Sequence, residues 1–176
     1  MSTQSSGLPT AAWLAIAAGC GVVALSVGGI VAAIVIPNFL NALQRARQHR
    51  TVADLRHVGA ALERYGADAA AGAVAPMAPG TTAAELAGHL APAYLAQVPA
   101  ADGWKRPYRF ACASRAGGGS CDTFCVGSGG RDGVFELDDL HAYAQAPQGF
   151  APGLYDQDLV WCDGAFVRWP EYPAAP

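Results

Sequence analysis

The sequence predicts an α+β protein in which one long N-terminal helix packs on a small antiparallel sheet. The first observation is a run without any charged residue from Ala11 to Ile36, about 26 positions in a row. The second is the amphipathic pattern that follows it without a break, since apolar residues recur there at threes and fours. The third is a period of two after Trp104, interrupted by tight-turn residues. The apolar positions of the amphipathic part are Phe39, Leu40, Leu43, Val52, Leu55, Val58, Leu62 and Tyr65.

The charge-free run predicts a transmembrane helix, because a hydrocarbon core needs roughly 20 apolar residues. We divide the chain into a short tail (1–10), a transmembrane helix (11–36), an amphipathic continuation of that helix (37–65) and an α+β domain (66–176). Pro37 lies inside the helical pattern, where it removes one backbone hydrogen bond and is expected to kink the helix. This division leaves room for one small domain.

A second, short helix is predicted after a loop rich in Ala, Gly and Pro. Thr82-Ala-Ala-Glu85 has the form of a capping box, and the helix that it opens should end near Leu90. The stretch 127–152 is predicted to be a loop with one helical turn at 137–144.

The strands are predicted as two hairpins. Residues 108–113 and 123–126 form the first, on either side of a glycine-rich turn. The second spans 159–169 around Asp163-Gly164, a dipeptide typical of two-residue type I′ turns. We expect three or four antiparallel strands that pack on the helix at residues 52–65.

Four cysteines in the predicted domain indicate two disulfides, since small exported domains are commonly stabilised in this way. Zinc ligation is the competing interpretation, but the spacings contain no CxxC pair and no histidine adjoins any of them. Four cysteines allow three connectivities. We expect Cys112 to pair with Cys121 across the first hairpin, and Cys125 with Cys162.

Composition and motifs argue against nucleic-acid binding and catalysis. The formal net charge is −3, and arginines cluster only along residues 45–56 of the helix, so no nucleic-acid partner is expected. The four histidines lack a spaced Cys, Ser or Glu partner of a catalytic motif. We predict that the chain is not an enzyme.

Three segments of the chain, in order, carry a resemblance to one known family. Gly29-Ile-Val-Ala-Ala-Ile-Val-Ile-Pro37-Asn38-Phe39-Leu40 resembles the N-terminal helix of type IV pilins and of the major pseudopilin of type II secretion. Asp102-Gly-Trp104-Lys-Arg-Pro107-Tyr108 resembles its Trp-Gly-x-Pro-Tyr segment, and Ser128-Gly-Gly-Arg-Asp132-Gly133 its Ser-x-Gly-x-Asp-Gly loop.

The resemblance implies a structural subunit of a pilus or secretion pseudopilus, anchored by its N-terminal helix. Such a subunit lies in the inner membrane as a single-pass protein with a periplasmic or extracellular domain. Its partners are other pilin-like subunits, including copies of itself, and inner-membrane assembly proteins. The family helix implies assembly roles for Gly29, Pro37, Asn38 and Phe39.

The resemblance also implies a calcium ion, held in the family by the Ser-x-Gly-x-Asp-Gly loop and a following Asp-x-Asp-Ile. The matching residues are Ser128, Asp132, Asp156 and Asp158, with roughly twenty extra residues between the two halves. Calcium takes six to eight oxygen ligands from such loops. The alternative is that these aspartates form turns and solvated strand ends.

One departure from the family keeps a second function open. The family's peptidase site, a Gly followed by Phe-Thr-Leu-x-Glu, would fall at Ala15/Ile16, where nothing matches it and Cys20 replaces the Glu. The alternative is therefore a membrane-anchored binding module of the cell envelope that does not polymerise. A hydrolase built on Asp132, Asp139 and Asp158 is a third hypothesis.

Overall fold

The computed structural model describes residues 9–68, 77, 80–114 and 121–172. Most of the predicted tail at 1–10 and the glycine-rich turn at 115–120 lie outside the described residues. The elements, in chain order, are helix α1 (Thr10–Asp68), helix α2 (Ala83–Leu90), strands β1 (Arg109–Ala113) and β2 (Thr123–Ser128), a 3-10 helix (Leu140–Gln145), and strands β3 (Gln148–Phe150), β4 (Leu159–Cys162) and β5 (Ala165–Pro170). The chain divides into two compact units, Met1–Leu43 and Gln44–Pro176.

The long helix is present, but its predicted passage through a membrane is wrong. Among the described residues, no helix is both long enough and apolar enough to cross a bilayer. The prediction relied on the absence of charge, yet half of the run 11–36 is Ala, Gly or Ser. These small side chains contribute little apolar area on burial. A single-pass location in the inner membrane is therefore not supported. The helix passes through Pro37 and continues to Asp68 instead of ending at Tyr65.

The sheet has five strands in the order β1-β2-β4-β5-β3, which corrects the prediction of three or four antiparallel strands. The pairs β1–β2, β2–β4 and β4–β5 are antiparallel, whereas β3 lies parallel to β5 at one edge. Strand β3 is only three residues long and contains Gly149. A strand this short shows no alternation from which it could be predicted.

Local turn and capping chemistry follows the sequence closely. The hydroxyl of Thr82 accepts from the Glu85 N–H at 3.3 Å, and the Glu85 carboxylate accepts from the Thr82 N–H at 2.8 Å, so the predicted capping box is confirmed. The β4–β5 turn places Asp163 and Gly164 at φ +42° and +92°. Positive φ at both central residues is the type I′ requirement.

The main core lies between the sheet and the part of α1 that belongs to the second unit. Leu55, Val58 and Leu62 of α1 are at most 1% exposed. Strands β2 and β4 turn alternate side chains toward them, as expected for a pleated strand. The principal contributors from the other elements are Leu86, Leu90, Phe110, Phe124, Val126, Leu159 and Trp161.

A smaller core covers the opposite face of the same strands. Cys125 of β2 and Val160 of β4 point away from α1 and pack with Leu140 and Tyr143 of the 3-10 helix. The 3-10 helix overlaps the helical turn predicted at 137–144 and forms a third layer, so both faces of the central strands are buried. This explains why every residue of β4 is buried, without a polar alternation.

Polar contacts fix the position of α1 against the segment that precedes β1. Trp104 Nε1 donates to Gln44 Oε1 at 2.6 Å. The Gly103 N–H donates to Thr51 Oγ1 at 3.0 Å. A Cβ on Gly103 would lie 2.8 Å from the Arg47 carbonyl carbon and closer to its oxygen, so only glycine allows this approach.

Candidate functional site

The candidate calcium residues lie in or next to the loop between β2 and β4. The first of them, Ser128, donates its hydrogen bond to the turn that contains Trp104. Its hydroxyl is buried, donates to Asp102 Oδ2 at 2.6 Å and accepts from the Gly130 N–H at 3.2 Å. The other oxygen of Asp102 accepts from the Trp104 and Arg106 N–H groups at 2.8 and 2.9 Å. Asp102 therefore connects the turn that contains Trp104 to β2, and Ser128 makes this contact from the β2 side.

Asp132 and Asp156 are exposed and have separate partners. Asp132 Oδ1 accepts from the Val134 N–H at 3.0 Å, which is the contact of an Asx turn. Both oxygens of Asp156 face Arg131, with Nε–Oδ1 at 2.8 Å and Nη2–Oδ2 at 2.5 Å. Hydrogen bonding to Asp156 raises the pKa of the Arg131 guanidinium above its ordinary value. The pair is a bidentate ion pair.

Asp158 is fully buried and holds the 3-10 helix to β4. Its Oδ2 accepts from the Glu136 N–H at 2.8 Å and from the Tyr143 hydroxyl, which itself accepts from the Leu137 N–H at 2.8 Å. Burial raises the pKa of the Asp158 carboxyl above its ordinary value, although these hydrogen bonds oppose the shift. Its Oδ1 is buried with no hydrogen-bond partner among the described residues.

Most of the oxygens with which these four residues would bind calcium are engaged with protein donors. One unpartnered oxygen, Asp158 Oδ1, favours a metal, but Asp156, Ser128 and the other oxygen of Asp158 are engaged with protein donors. The positive charge of Arg168 also acts on Asp158, where it lowers the pKa of the carboxyl. Nowhere in the described part of the chain do three or more His, Cys, Asp or Glu residues form a cluster that could hold a metal.

Both disulfides are present and join the pairs expected from the sequence. Cys125 and Cys162 are opposite each other on β2 and β4, with Cα atoms 4.2 Å apart. Cys112 of β1 is bonded to Cys121, which precedes β2, with Cα atoms 5.5 Å apart. The prediction of two disulfides is confirmed.

The aspartates of the hydrolase hypothesis also have separate local roles. Asp139 caps the 3-10 helix by accepting from the His141 N–H at 2.9 Å, while Asp132 forms its Asx turn and Asp158 its buried contacts. The prediction that the chain is not an enzyme stays a prediction.

An open groove of about 830 Å³ runs beside β1, at the free edge of the sheet. Arg109 spans it, with its guanidinium 4.0 Å from the centre of the Phe135 ring and Nη1 donating to the Asp138 carbonyl at 3.2 Å. The walls combine cationic, aromatic and hydroxyl groups. They include Thr82, Arg106, Arg109, Phe110, Phe135 and His141.

The four assembly residues predicted on α1 lie on a helix surface rich in apolar side chains. Gly29 and Asn38 are exposed, Pro37 is inside the helix, and Phe39 is 64% exposed. A Cβ on Gly29 would meet nothing within 4 Å. Within the unit Met1–Leu43, this surface is available to a partner.

Three residues with central roles were not identified from the sequence: Asp102, Arg131 and Tyr143. Asp102 and Arg131 stand inside two of the three segments that carry the family resemblance, but their roles depend on contacts with residues 26 and 25 positions away. Tyr143 carries no motif at all. Only a signal for long-range pairing would have revealed them.

Three comparisons with known proteins gave no relative. No protein-family model, no curated protein and no solved structure matches this chain.

Proposed function

We propose that this chain is a structural subunit of a filament of the pilus or type II secretion pseudopilus kind, in which residues 13–43 of α1 form the contact between copies. The observation that carries the proposal is the exposure of large apolar side chains on this part of α1. Nine of them are 38–78% exposed, whereas the described remainder of the chain has three, Val134, Leu137 and Leu154. The nine are Trp13, Leu14, Leu25, Ile34, Val35, Ile36, Phe39, Leu40 and Leu43.

Such a concentration of apolar surface is typical of an interface. The first unit bears no charge between Ala11 and Ile36, so its partner must itself be apolar and uncharged along the contact. The same segment of another copy has that character. Space is open at the Cβ positions of Gly21, Gly28 and Gly29, and helices with such small residues approach closely, since interaxial distance depends on the side chains at the contact.

The disulfides Cys112–Cys121 and Cys125–Cys162 support assembly in an oxidising compartment, since disulfides persist there and are rare in reducing cytosol. The partners in this proposal are other pilin-like subunits and the proteins that assemble them.

The test is self-association of the purified full-length chain, measured by sedimentation and electron microscopy. We expect large assemblies for the wild type and their loss in Ile36→Glu, because a charge in the apolar contact is left without a partner. The matched control is Leu154→Glu, since Leu154 and Ile36 are similarly exposed at 51% and 56%. Thermal unfolding of the second unit, Gln44–Pro176, should be the same in both variants.

A wild-type chain that remains monomeric at all concentrations would contradict the proposal. So would a monomer that binds lipid vesicles of neutral composition and never forms an ordered assembly. Intact mass and N-terminal sequencing of sheared filaments from the native source add an independent check. A truncated N-terminus in that fraction would support a processed filament subunit.

The second candidate function is a binding module that acts as a monomer, and the groove beside β1 is the observation that favours it. Its volume of about 830 Å³ is within the range of small-molecule sites. The absence of a match to the family's peptidase site at Ala15/Ile16 agrees with this alternative. Full-length, monomeric protein in native extracts would favour it over the filament.

A further inference from the structure

We propose that the loop from Gly129 to Asp158 takes no calcium, because Arg131 supplies at Asp156 the positive charge that the family resemblance assigns to a divalent cation. At the other candidate residues, protein donors occupy Asp132 Oδ1, Asp158 Oδ2 and the Ser128 hydroxyl. The loop would then close by direct contacts, and the stability of the subunit would not depend on calcium. This inference is independent of whether the chain polymerises.

Arg131 binds the second half of the loop through both its side chain and its main chain. The guanidinium forms the bidentate contact with Asp156, and the Arg131 N–H donates to the Tyr155 carbonyl at 2.8 Å. A planar guanidinium matches the geometry of a carboxylate, which makes Arg suited to such a contact. One residue therefore connects two segments that a metal ion would otherwise bridge.

The backbone next to Arg131 fills the space between the same two segments. Gly130 has φ +64°, and a Cβ on it would lie 2.7 Å from the Tyr155 oxygen and 2.8 Å from the Gln157 oxygen. These carbonyl oxygens, which are ordinary calcium ligands in other loops, here lie against the main chain of Gly130. Only glycine allows so close an approach at this φ.

Binding of calcium through Asp158 Oδ2 or the Ser128 hydroxyl would leave buried donors without acceptors. At Asp158 Oδ2, an ion would compete with the Tyr143 hydroxyl and the Glu136 N–H. At Ser128 Oγ it would compete with the Gly130 N–H, which donates to that oxygen. Ser128, Asp158 and Asp102 are at most 2% exposed, so displaced donors would find no water.

The first experiment compares the purified full-length chain in EDTA and in excess Ca²⁺. We expect the same thermal midpoint in both, and the same hydrogen-exchange protection at the amides of residues 131 and 136, which donate to Tyr155 and Asp158. A Ca²⁺-dependent rise in the midpoint, or slower exchange at either amide with Ca²⁺, would overturn the proposal.

The second experiment tests the role of Arg131 itself through Arg131→Gln, which keeps a polar side chain and removes the charge. We expect exchange at amide 131 to become about two- to five-fold faster in EDTA, the range that an exposed ion pair provides. Arg64→Gln is the control, an exposed arginine on α1 outside the loop. Equal exchange in Arg131→Gln and the wild type would refute the assigned role.

Discussion

Gly59 of α1 lies directly against the indole of Trp161 in β4. A Cβ on Gly59 would be 2.9 Å from Trp161 Cε2 and closer still to Nε1 and Cδ1. This contact sets the distance between the helix and the sheet, because the aromatic ring occupies the volume that any side chain at position 59 would need.

Gly59→Ala should therefore destabilise the protein despite the higher helix propensity of alanine. We expect a free energy of unfolding lower by about 1–2 kcal/mol, since overpacking outweighs a propensity gain of about 1 kcal/mol. Chemical denaturation measures the difference. Gly88→Ala on α2 is the matched control, because Gly88 has open space at its Cβ and should show a small gain. A stabilised Gly59→Ala would contradict the packing.

The two disulfides should contribute unequally, because they close loops of different length. Cys125 and Cys162 are 37 residues apart, and Cys112 and Cys121 only 9. On chain entropy alone, replacing Cys125 and Cys162 by alanines should lower the free energy of unfolding by about 4 kcal/mol. Replacing Cys112 and Cys121 should lower it by about 2.5 kcal/mol. Urea denaturation of the two double variants tests the order, and a larger loss for the shorter loop would disprove the entropic account.

The Tyr108 hydroxyl, at the start of the first hairpin, donates to Asp54 Oδ2 on α1 at 3.1 Å. Tyr108→Phe should lower the free energy of unfolding by about 1–2 kcal/mol, since a partly buried hydrogen bond to a carboxylate is lost. Asp54 also lies 3.5 Å from Arg50, so a double-mutant cycle with Asp54→Asn is needed to isolate the pair. Strictly additive losses would mean that the hydrogen bond contributes nothing.

Tyr143→Phe should loosen the 3-10 helix by removing one hydroxyl with two partners. The Leu137 N–H loses its acceptor and the buried Asp158 loses one of its donors. We expect a loss of about 1–3 kcal/mol and faster hydrogen exchange at the Leu137 amide. Unchanged exchange there would show that the stretch is held by packing of Leu140 alone.

The capping box of α2 should make part of the stability depend on pH. Hydrogen bonds from Thr82 lower the pKa of Glu85 below its ordinary value of 4.5. A carboxyl with a lowered folded-state pKa stabilises the fold above its unfolded-state pKa, and the contribution is lost as the pH falls through the folded-state value. The difference in thermal midpoint between the wild type and Glu85→Gln should thus shrink as the pH falls below 4.5. Parallel pH curves would contradict it.

Elements with a local cause could be predicted from the sequence. The Thr82–Glu85 capping box, the Asp163-Gly164 turn and the amphipathic residues 52–65 of α1 depend on neighbours within a few positions, so their side-chain chemistry is visible in the linear pattern. The disulfides could be expected because cysteines are few and the first hairpin brings Cys112 near Cys121.

The candidate metal site could not be assessed in the same way. Ser128, Asp132, Asp156 and Asp158 suit calcium chemically, but whether their oxygens are free depends on Asp102, Arg131 and Tyr143, which reach them through the fold. Likewise, strand β3 forms only through its parallel pairing with β5.

The sequence by itself determined the long helix, the short capped helix and the two hairpins, because hydrogen bonds and turn preferences within each segment are sufficient to favour them. Tertiary structure decided that both faces of the central strands are covered. The 3-10 helix from Leu140 to Gln145 buries Leu140 and Tyr143 only when β2 and β4 lie beneath it. Apolar burial and buried hydrogen bonds require partners from distant parts of the chain, and the linear pattern does not identify them.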